Sequence, residues 1–578
     1  MYRRVMAFDF DGTLALDGVV PPEVVSALEQ CRASGHALFL VTGRRFGTVS
    51  LGPVGELFTG VVWENGAVLA HTASGETYLP FGQLSAHLLK ALDEAQIPFE
   101  RGLAIAATWV PQDQAVWRVL GSPSYGGGAS VEYNKGAVMI VPPGSTKGTG
   151  LQRLLTICGF SARNLAAFGD AENDLSMLTL AEVGVAVGDA VPAVREMADV
   201  VAEAAGPAGV LEVLRRYPLA GRFLDIPLRR ERPILIGQDD TGRDVSLPAS
   251  RLAGRNLGVF GDSGTGKSWM VGLLAEGLHH EDYQVLLVDP EGDFRGLRVL
   301  PRFVALEGDR ASMPTPDAVV SLLDAAGVSV VVDLSRYPLG LRSGYVAELI
   351  RLLRPLRERK YRPHWIVLEE AQQFLLPDGD EVTDAVAPQL DAGGWAFVSY
   401  RPDRMDRRVL QAMHHCLLTR MTEPEAMRAV LEHCEACRRG GIGVEEIPTG
   451  SALLCGGPVV RLRPAIRRVP HVRHLYKYLD MPLPPGKRFW FRDEQAGIGK
   501  GAASLFEFLH LIPMLPVESL EYHDRRQDFS RWAEEALGDM GLAARLKKLS
   551  NRQLRGEELR EALRKTVAAH YEELNALR

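Results

Sequence analysis

Two acidic residues follow the first apolar run of the sequence, in Phe8-Asp9-Phe10-Asp11-Gly12-Thr13-Leu14. The apolar run predicts a buried strand, and open α/β sheets form their sites at the carboxyl ends of such strands. Two carboxylates placed so close together need a cation or a proton between them. Asp9 and Asp11 therefore predict a site that binds a metal ion or transfers a proton.

Three further segments carry polar residues after predicted strands or in loops. They are Val41-Thr42-Gly43-Arg44, Gly144-Ser145-Thr146-Lys147-Gly148 and Phe168-Gly169-Asp170-Ala171-Glu172-Asn173-Asp174. Oxygen-rich clusters such as the last one suit Mg²⁺, which prefers carboxylate and carbonyl ligands.

The Asp9 segment and these three segments, in this order along the chain, resemble the haloacid dehalogenase superfamily. The resemblance covers about residues 1–216. It implies that Asp9 attacks phosphorus and forms an aspartyl-phosphate, while Asp11 acts as general acid and then as general base. It also implies that Thr42 and Lys147 hold the phosphoryl oxygens. The implied Mg²⁺ ligands are Asp9, the main-chain carbonyl of Asp11, Asp170 and Asp174.

Glu64-Asn65-Gly66-Ala67 and the segment from about Gly82 to Ala137 lie between the Thr42 and Lys147 segments. They resemble the inserted cap of the subgroup that acts on sugar phosphates and similar small molecules. The resemblance implies that this cap selects a small phosphorylated substrate. The aromatic residues of the segment are expected to form the core of the cap, because large aromatic side chains are mostly buried. The obvious candidates for contact with a polar substrate are Arg101, Trp109, Trp117, Arg118 and Lys135.

A second chemically informative motif is a glycine-rich loop between an apolar run and a helical pattern. It consists of Gly261, Asp262, Ser263, Gly264, Thr265, Gly266, Lys267 and Ser268. Glycines at the bends let backbone N–H groups point at phosphate oxygens, and the following helix presents its positive end. The loop therefore predicts ATP binding, with Lys267 on the β- and γ-phosphates and Ser268 on Mg²⁺.

The apolar run Trp365-Ile366-Val367-Leu368 leads into Glu369-Glu370-Ala371-Gln372, which is a Walker B pattern. It predicts that Glu369 lies near the Mg²⁺ shell and that Glu370 polarises the attacking water. Three more segments make residues 233–475 similar to the HerA and FtsK group of ATPases. They are Val288-Asp289-Pro290-Glu291-Gly292-Asp293-Phe294, Val332-Asp333-Leu334-Ser335 and Ser399-Tyr400-Arg401-Pro402.

The similarity to the HerA and FtsK group implies a hexameric ring with ATP between subunits and an arginine supplied by the neighbour. Arg401 and Arg420 are the best candidates for that arginine. Two positions depart from the group's pattern. Glu369 stands where the first acid is usually Asp, and Tyr400 lies near the place of a Gln that senses the γ-phosphate.

The chain has 578 residues, of which 46% are hydrophobic and 24% charged, so it is expected to form several globular domains. Apolar runs alternate with helix-like stretches as far as about Pro470, the pattern of α/β proteins. We expect two consecutive Rossmann-like three-layer domains, a haloacid dehalogenase core with a small cap and a RecA-like P-loop ATPase, followed by an α-helical module. The predicted bounds are 1–216 for the first domain with its cap at about 82–137, 217–232 for a linker, 233–475 for the ATPase and 485–578 for the helical module.

Charge and composition restrict the partners. Residues 1–216 hold 22 acidic and 15 basic residues, whereas the rest of the chain holds 50 of each. The one basic concentration is Arg461 to Arg473, which makes nucleic acid a candidate partner. No apolar run is long enough to span a bilayer and no signal-peptide core is present, so a cytoplasmic protein is expected.

Two weaker motifs are expected to have no site chemistry. Cys434 and Cys437 form a C-x-x-C without a second pair at zinc-finger spacing, so a structural zinc is not expected. Gly497-Ile498-Gly499-Lys500-Gly501 lacks a strand and a helix around it and is expected to be a turn. His523 and Asp528, in the helical module, are expected to form a hydrogen-bonded pair that supports a helix start.

Three functions are compatible with these motifs. The preferred one is a Mg²⁺-dependent phosphomonoester hydrolase coupled to an ATP-hydrolysing ring motor or switch. The second is a nucleic-acid end-repair enzyme that combines a kinase with a phosphatase, although Glu369 and Glu370 favour water as the acceptor. The third is a phosphatase joined to a nucleotide-binding scaffold that does not hydrolyse ATP.

Overall fold

The computed structural model describes most of the chain. The described residues are 5–48, 51–122, 128–134, 136–325, 327–433, 447–448, 450–469, 479, 483, 487–494, 497–537 and 539–576.

The chain forms two compact units. The first comprises Met1–Val288, Arg302–Val332 and Tyr337–Ile466, and the second comprises Asp289–Pro301, Asp333–Arg336 and Arg467–Arg578. In the described part of the chain, no helix combines the length and the apolar character needed to cross a bilayer.

The first sheet of the larger unit has eight strands, six of them parallel. Its inner strands are apolar and fully buried, as expected for a parallel sheet covered by helices on both faces. The order across the sheet is Val200–Val201, Val183–Ala186, Leu165–Gly169, Val5–Asp9, Ala37–Val41, Gly60–Trp63, Val68–His71 and Thr77–Tyr78. Its helices are Pro22–Ala33, Gly52–Gly55, Lys147–Cys158, Leu175–Leu180, Pro192–Met197 and Gly206–Arg216.

A small antiparallel sheet with two helices forms the cap. Its strand order is Glu100–Arg101, Ala106–Trp109, Ala137–Val141 and Ser130–Asn134, and its helices are Ala86–Glu94 and Asp113–Leu120. Leu88, Leu92, Val116 and Ile140 are fully buried in a separate apolar cluster between sheet and helices. The cap therefore has a core of its own.

The second large sheet has eleven strands, with a parallel centre and an antiparallel edge. The order is Asp244–Pro248, Pro233–Asp239, Val460–Pro464, Ala452–Cys455, His415–Leu418, Leu257–Phe260, Trp395–Ser399, Trp365–Leu368, Val285–Asp289, Ser329–Asp333 and Phe303–Glu307. The helices are Ala249–Gly254, Lys267–His280, Pro316–Leu323, Leu339–Lys360, Glu381–Val386, Arg407–Gln411 and Pro424–His433. The predicted fold class, two consecutive Rossmann-like α/β folds, is confirmed.

The second unit contains the carboxyl-terminal module. Its helices are Leu505–Leu511, Val517–Arg525, Asp528–Glu535, Met540–Ser550 and Gly556–Ala576. The expectation of a turn at Gly497–Gly501 is wrong, because Gly497–Ala502 is a strand paired antiparallel with Phe489–Arg492. The hairpin lets Phe489 and Phe491 pack with Phe508, a long-range contact that local sequence does not reveal. His523 Nδ1 lies 2.8 Å from Asp528 Oδ2, as predicted.

Candidate active site

Three neighbouring parallel strands bring the predicted phosphatase residues to one edge of the first sheet. Val5–Asp9 lies between Leu165–Gly169 and Ala37–Val41, and Asp9 is in register with Val41. The residues that follow these strands, Thr42 and Asp170, therefore flank Asp9. The parallel order explains why motifs more than a hundred residues apart converge.

A buried cluster of three carboxylates forms the centre of this site. Ligand oxygens of Asp9, Asp170 and Asp174 lie within 4.8 Å of one another. The Lys147 ammonium group donates to Asp9 Oδ1 at 2.5 Å and to Asp174 Oδ1 at 2.6 Å. An all-oxygen donor set of this size fits Mg²⁺, whose preferred ligands are carboxylate and carbonyl oxygens.

Burial dominates the electrostatics of the cluster. Burial raises the pKa of Asp9 well above its usual value, and Asp174 raises it further, while Lys147 opposes the shift. For Lys147, burial lowers the pKa, but the charges of Asp174 and Asp9 outweigh burial and raise it. Three acids facing one ammonium group leave an excess of negative charge, which a divalent cation would offset.

Local hydrogen bonds hold the cluster in place. Lys147 is the first residue of its helix because Thr146 caps it, with Thr146 Oγ1 accepting from the Thr149 N–H at 3.1 Å. Asp174 Oδ2 accepts the backbone N–H of Asp170 at 2.9 Å. Thr13 Oγ1 donates to Asp170 Oδ1 at 3.0 Å. Thr13 lies inside the first motif, but its residue type alone does not predict this role.

The Asp11 carboxylate is not part of the three-carboxylate cluster. Its carboxylate accepts two hydrogen bonds from Arg44, from Nε at 2.8 Å and from Nη2 at 2.5 Å. The Arg44 guanidinium also lies over the Phe10 ring, 5.1 Å from its centroid. The side chains of Asp11 and Arg44 are 42% and 35% exposed. Asp11 is therefore placed at the solvent-exposed side of the site.

Glu64, in the segment Glu64-Asn65-Gly66-Ala67, is buried and ties the cap to the core, a role that its residue type alone does not predict. Glu64 accepts backbone N–H groups from Leu103 at 2.7 Å, from Ala104 at 2.7 Å and from Phe46 at 3.0 Å. Its own φ is 52°, a left-handed conformation that an isolated Glu rarely adopts. Glu64 thus ties the loop between the first two cap strands to the segment that follows Thr42.

The expectation that the cap tryptophans form its core is wrong. Trp109 and Trp117 are 49% and 52% exposed. Trp117 Nε1 donates to the Tyr133 hydroxyl at 3.1 Å at the cap surface. Arg101 and Arg118 are exposed, and Lys135 lies outside the described residues. The aliphatic residues of the cap fill its core instead, so the aromatic rings are left at the surface.

The glycine-rich loop follows the strand Leu257–Phe260 at the centre of the second sheet, and the helix Lys267–His280 begins at its end. A Cβ on Gly261 would lie 1.9 Å from Thr419 Oγ1, so only glycine fits there. Gly266 has a φ of 108°, which also favours glycine. Lys267 Nζ donates to the carbonyl oxygen of Asp262 at 2.9 Å.

The Walker B strand is separated from Leu257–Phe260 by the strand Trp395–Ser399, and the residue after its end meets the first turn of the helix Lys267–His280. Ser268 Oγ donates to Glu369 Oε1 at 2.7 Å, which places both predicted Mg²⁺ ligands together. Glu370 has a φ of 51° and accepts from the side-chain amide of Gln372. Gln372 Oε1 in turn accepts from Ser399 Oγ at 2.6 Å, at the end of the next strand. Gln372 and Ser399 therefore connect the two strands next to Glu370.

The two candidate arginines have different surroundings. Arg401 makes a bidentate ion pair with Asp403, at 2.9 and 2.7 Å, within its own chain. Arg420 is exposed, and its carbonyl oxygen accepts the Asp262 N–H at 2.8 Å. Arg420 is thus next to the phosphate loop, and its side chain is the better placed of the two to reach a neighbouring molecule.

Of the remaining predicted residues, Cys434, Cys437 and Arg473 lie outside the described residues. Arg461 and Arg463 are exposed on one strand of the first unit. Arg467, in the second unit, is 7% exposed and therefore does not offer its charge to a nucleic acid.

Two family profiles match the chain. A profile of the haloacid dehalogenase-like hydrolases matches residues 6–98 and 124–214. A profile of the central domain of helicase HerA matches residues 234–393.

Individual relatives align with the first domain. A phosphoglycolate phosphatase of Methanothermobacter thermautotrophicus is 34% identical over 37% of this chain and 98% of its own length. Phosphoglycolate phosphatase 2 of Saccharolobus solfataricus is 28% identical over 38% of this chain and 94% of its own. A haloacid dehalogenase-like hydrolase structure from Bacteroides thetaiotaomicron aligns with 20% identity and a TM-score of 0.32, over 37% of this chain and 98% of that one. The chain therefore belongs to the haloacid dehalogenase-like hydrolases, and in it a HerA-type central domain follows the hydrolase domain.

Proposed function

We propose that this hydrolase is a Mg²⁺-dependent phosphatase for small phosphomonoesters that works through an aspartyl-phosphate on Asp9. The observation that carries the proposal is the buried cluster of Asp9, Asp170 and Asp174 with Lys147 at hydrogen-bond distance. When bound by these three carboxylates and the carbonyl oxygen of Asp11, Mg²⁺ would neutralise the charge of the phosphoryl group.

The chain's own residues then divide the reaction between them. An oxygen of Asp9 forms a bond to phosphorus while the bond from phosphorus to the ester oxygen breaks. Asp11 donates a proton to that leaving oxygen, and later takes a proton from the water that hydrolyses the aspartyl-phosphate. Thr42 and Lys147 hold the phosphoryl oxygens through both steps. In the structure Arg44 holds the ionised Asp11 carboxylate through two hydrogen bonds.

Metal removal tests the phosphatase directly. We expect the purified full chain to release phosphate from p-nitrophenyl phosphate and from a panel of sugar phosphates, phosphoglycolate, nucleotides and 3′-phosphorylated DNA. EDTA should abolish this release, and added Mg²⁺ should restore it, because the clustered carboxylates repel an anionic substrate without a cation. Hydrolysis that persists at the same rate in EDTA-treated, metal-free protein would contradict the metal dependence.

We propose that the second domain hydrolyses ATP and assembles as a ring, with Arg420 reaching the nucleotide of a neighbouring subunit. The Ser268–Glu369 hydrogen bond supports a Mg²⁺·ATP site, and Glu370 next to it supports water as the acceptor. An end-repair kinase is the alternative, and a labelled γ-phosphate distinguishes the two. Release as free phosphate supports hydrolysis, whereas transfer to the 5′ end of an oligonucleotide supports the kinase.

We further propose that the nucleotide state of the ATPase domain alters the phosphatase. The support is a polar seam between the two domains within the first unit. Arg362, which is fully buried, donates to the carbonyl oxygen of Gly159 from Nε at 3.0 Å and from Nη2 at 2.8 Å. Asn164 Nδ2 donates to Tyr361 O at 3.1 Å. Glu182 accepts from the Tyr283 hydroxyl at 2.5 Å.

This seam joins the starts of two strands whose ends carry the two sites. Asn164 precedes the strand that leads to Asp170, and His364 precedes the strand that leads to Glu369. Burial lowers the pKa of His364 well below its usual value, so its ring is neutral. The neutral ring accepts the Gln284 N–H at Nδ1 and places Nε2 3.3 Å from Asn164 Oδ1. A shift of either strand along its axis would therefore displace the other strand and the site residues at its end.

Coupling predicts a measurable effect of nucleotide on the phosphatase. We expect a saturating non-hydrolysable ATP analogue to change kcat/KM for p-nitrophenyl phosphate by about fivefold or more, a typical coupling between sites. Lys267→Ala should abolish the effect, and Asn164→Ala should reduce it to under about twofold, because it breaks the seam. Asn551→Ala, at an exposed position of the last module, is the matched control. Identical phosphatase kinetics with and without the analogue would contradict coupling.

A further inference from the structure

A cavity of about 240 Å³ opens at the amino ends of two strands of the second sheet. Pro363, which lines it, lies two residues before the strand Trp365–Leu368, and Ala392, which also lines it, lies shortly before the strand Trp395–Ser399. Both strands run parallel to Leu257–Phe260, whose carboxyl end leads into the glycine-rich loop. The cavity and the predicted nucleotide site therefore lie at opposite edges of the sheet.

One charged side chain of this cavity is held in a fixed orientation. Arg357, in the last turn of the helix Leu339–Lys360, lines the cavity, and its Nη2 donates to the carbonyl oxygen of Gly393 at 2.7 Å. The guanidinium carbon lies over the face of the Trp395 ring, 5.3 Å from its centroid. A Cβ on Gly394 would lie 3.3 Å from Arg357 Nη2, so a glycine lets this loop lie against the guanidinium. The backbone carbonyl and the ring together fix the direction of the group.

The second terminal nitrogen of the same guanidinium has no partner. Arg357 Nη1 is buried, and no atom of the residues that the structure describes forms a hydrogen bond with it. Burial lowers the pKa of Arg357 to about 10, so the side chain stays charged at neutral pH. Burying a charge without a partner is costly, and buried polar groups in native proteins are nearly always paired. The unpaired nitrogen beside an open cavity therefore indicates an anionic ligand.

The other charged residues of the lining restrict the class of that anion. Arg354 also lines the cavity, but its Nε donates to Glu358 Oε1 at 2.8 Å, in an ion pair between two exposed side chains. Glu358 and Asp391 add two carboxylates to the lining. A dianion such as phosphate would be repelled by both, whereas a singly charged carboxylate matches the one unpaired nitrogen of Arg357.

The remaining walls favour a ligand with an apolar body. They are formed in large part by Ala253, Pro363, Pro388 and Ala392. The ring of His364 adds no charge, because burial lowers its pKa well below the usual value. An apolar cavity of about 150 Å³ holds a benzene ring. The space here is therefore sufficient for a six-membered ring together with a carboxylate group.

We propose that this cavity is a binding site for a small organic carboxylate, with the carboxylate on Arg357 Nη1 and an apolar body against the alanine and proline walls. The site is separate from the phosphatase site and from the nucleotide site, and it does not depend on the activity of either. Tyr361 and His364 line the cavity and also contact Asn164. The ligand would thus bind next to the polar seam between the two domains.

Calorimetric titration of the purified full chain tests the site. The probes are benzoate, phenylacetate and cyclohexanecarboxylate, and each is compared with its neutral amide in a phosphate-free buffer of constant ionic strength. We expect at least one carboxylate to bind with a Kd below about 1 mM. Its amide should bind at least about tenfold more weakly, because the amide keeps the shape but lacks the charge that meets the guanidinium.

Two variants separate the charge of the site from its space. Arg357→Gln should weaken carboxylate binding at least about tenfold, and its Tm should stay within about 4 °C of the wild type or rise, because an unpaired buried charge is removed. Ala392→Leu keeps the guanidinium but fills the cavity, and it should weaken binding to a similar extent. Arg359→Gln, at an exposed position of the same helix turn, is the matched control and should leave the affinity unchanged.

Four results would overturn the inference. They are the absence of carboxylate binding below about 10 mM, equal affinity for a carboxylate and its amide, unchanged affinity in folded Arg357→Gln or Ala392→Leu, and displacement of the bound carboxylate by inorganic phosphate at equal ionic strength. The last result would show that the probe occupies a phosphate site instead. None of the four results bears on whether the chain hydrolyses phosphate esters.

Discussion

Asp9→Asn is expected to lower kcat/KM for every phosphate ester at least about 10³-fold, equivalent to about 4 kcal/mol of lost transition-state stabilisation. The amide has the shape of the carboxyl group but is a far weaker nucleophile, so the bond from Asp9 to phosphorus does not form. Single-turnover and steady-state phosphate release, measured at saturating Mg²⁺, check this expectation. The loss should be equal for p-nitrophenyl phosphate and for sugar phosphates, because the nucleophile acts on the group that all of them share.

The Asp9→Asn variant is expected to stay folded. Asp9 is 3% exposed, and burial together with Asp174 raises its pKa, so its charge is unfavourable in the metal-free fold. Removing that charge should leave Tm unchanged or slightly raised in EDTA. Asp17→Asn is the matched control, because Asp17 is exposed and has a φ of 50°, a conformation that Asn tolerates. Phosphatase activity in Asp9→Asn within tenfold of that control would exclude Asp9 as the nucleophile.

The positions of the phosphatase residues were predictable because each residue lies at the end of a predicted strand, and the strands are neighbours in one parallel sheet. Asp9, Thr42 and Asp170 each follow an apolar run, and parallel strands place such residues at one edge. The directions of side chains were not predictable in the same way. Asp11 pairs with Arg44, a contact between two segments that neither motif encodes.

Contacts between distant segments account for most of what the sequence motifs miss. Glu64 holds the cap to the core only because four backbone N–H groups, from Phe46, Leu103, Ala104 and Ile105, donate to its carboxylate. The strand Gly497–Ala502 forms only because Phe489–Arg492 pairs with it, and its glycines locally favour a turn. Gln372 joins Glu370 to Ser399 across two strands that are adjacent in space and separate in sequence.

Separate replacement of Lys267 and Glu370 in the ATPase domain is expected to distinguish a loss of ATP affinity from a loss of ATP hydrolysis. Lys267→Ala should weaken ATP affinity at least about tenfold, because it removes the charge that meets the β- and γ-phosphates. Glu370→Gln should keep ATP affinity within about threefold and lower steady-state hydrolysis at least about 10²-fold, since the isosteric amide cannot act on the attacking water. Fluorescent-nucleotide binding and phosphate release measure the two quantities independently.

The controls for Lys267→Ala and Glu370→Gln measure both ATP hydrolysis and phosphatase activity. Glu358→Gln, at an exposed position in an i,i+4 ion pair with Arg354, should leave binding and hydrolysis unchanged. Without nucleotide, Lys267→Ala and Glu370→Gln should both retain wild-type phosphatase activity, because the carboxylate cluster around Asp9 lies on a different sheet. A wild type that binds ATP but hydrolyses it no faster than Lys267→Ala would show that the domain is a nucleotide-bound scaffold. In that case Glu370→Gln would have no effect on turnover, and the nucleotide would influence the phosphatase through occupancy of the ATP site alone.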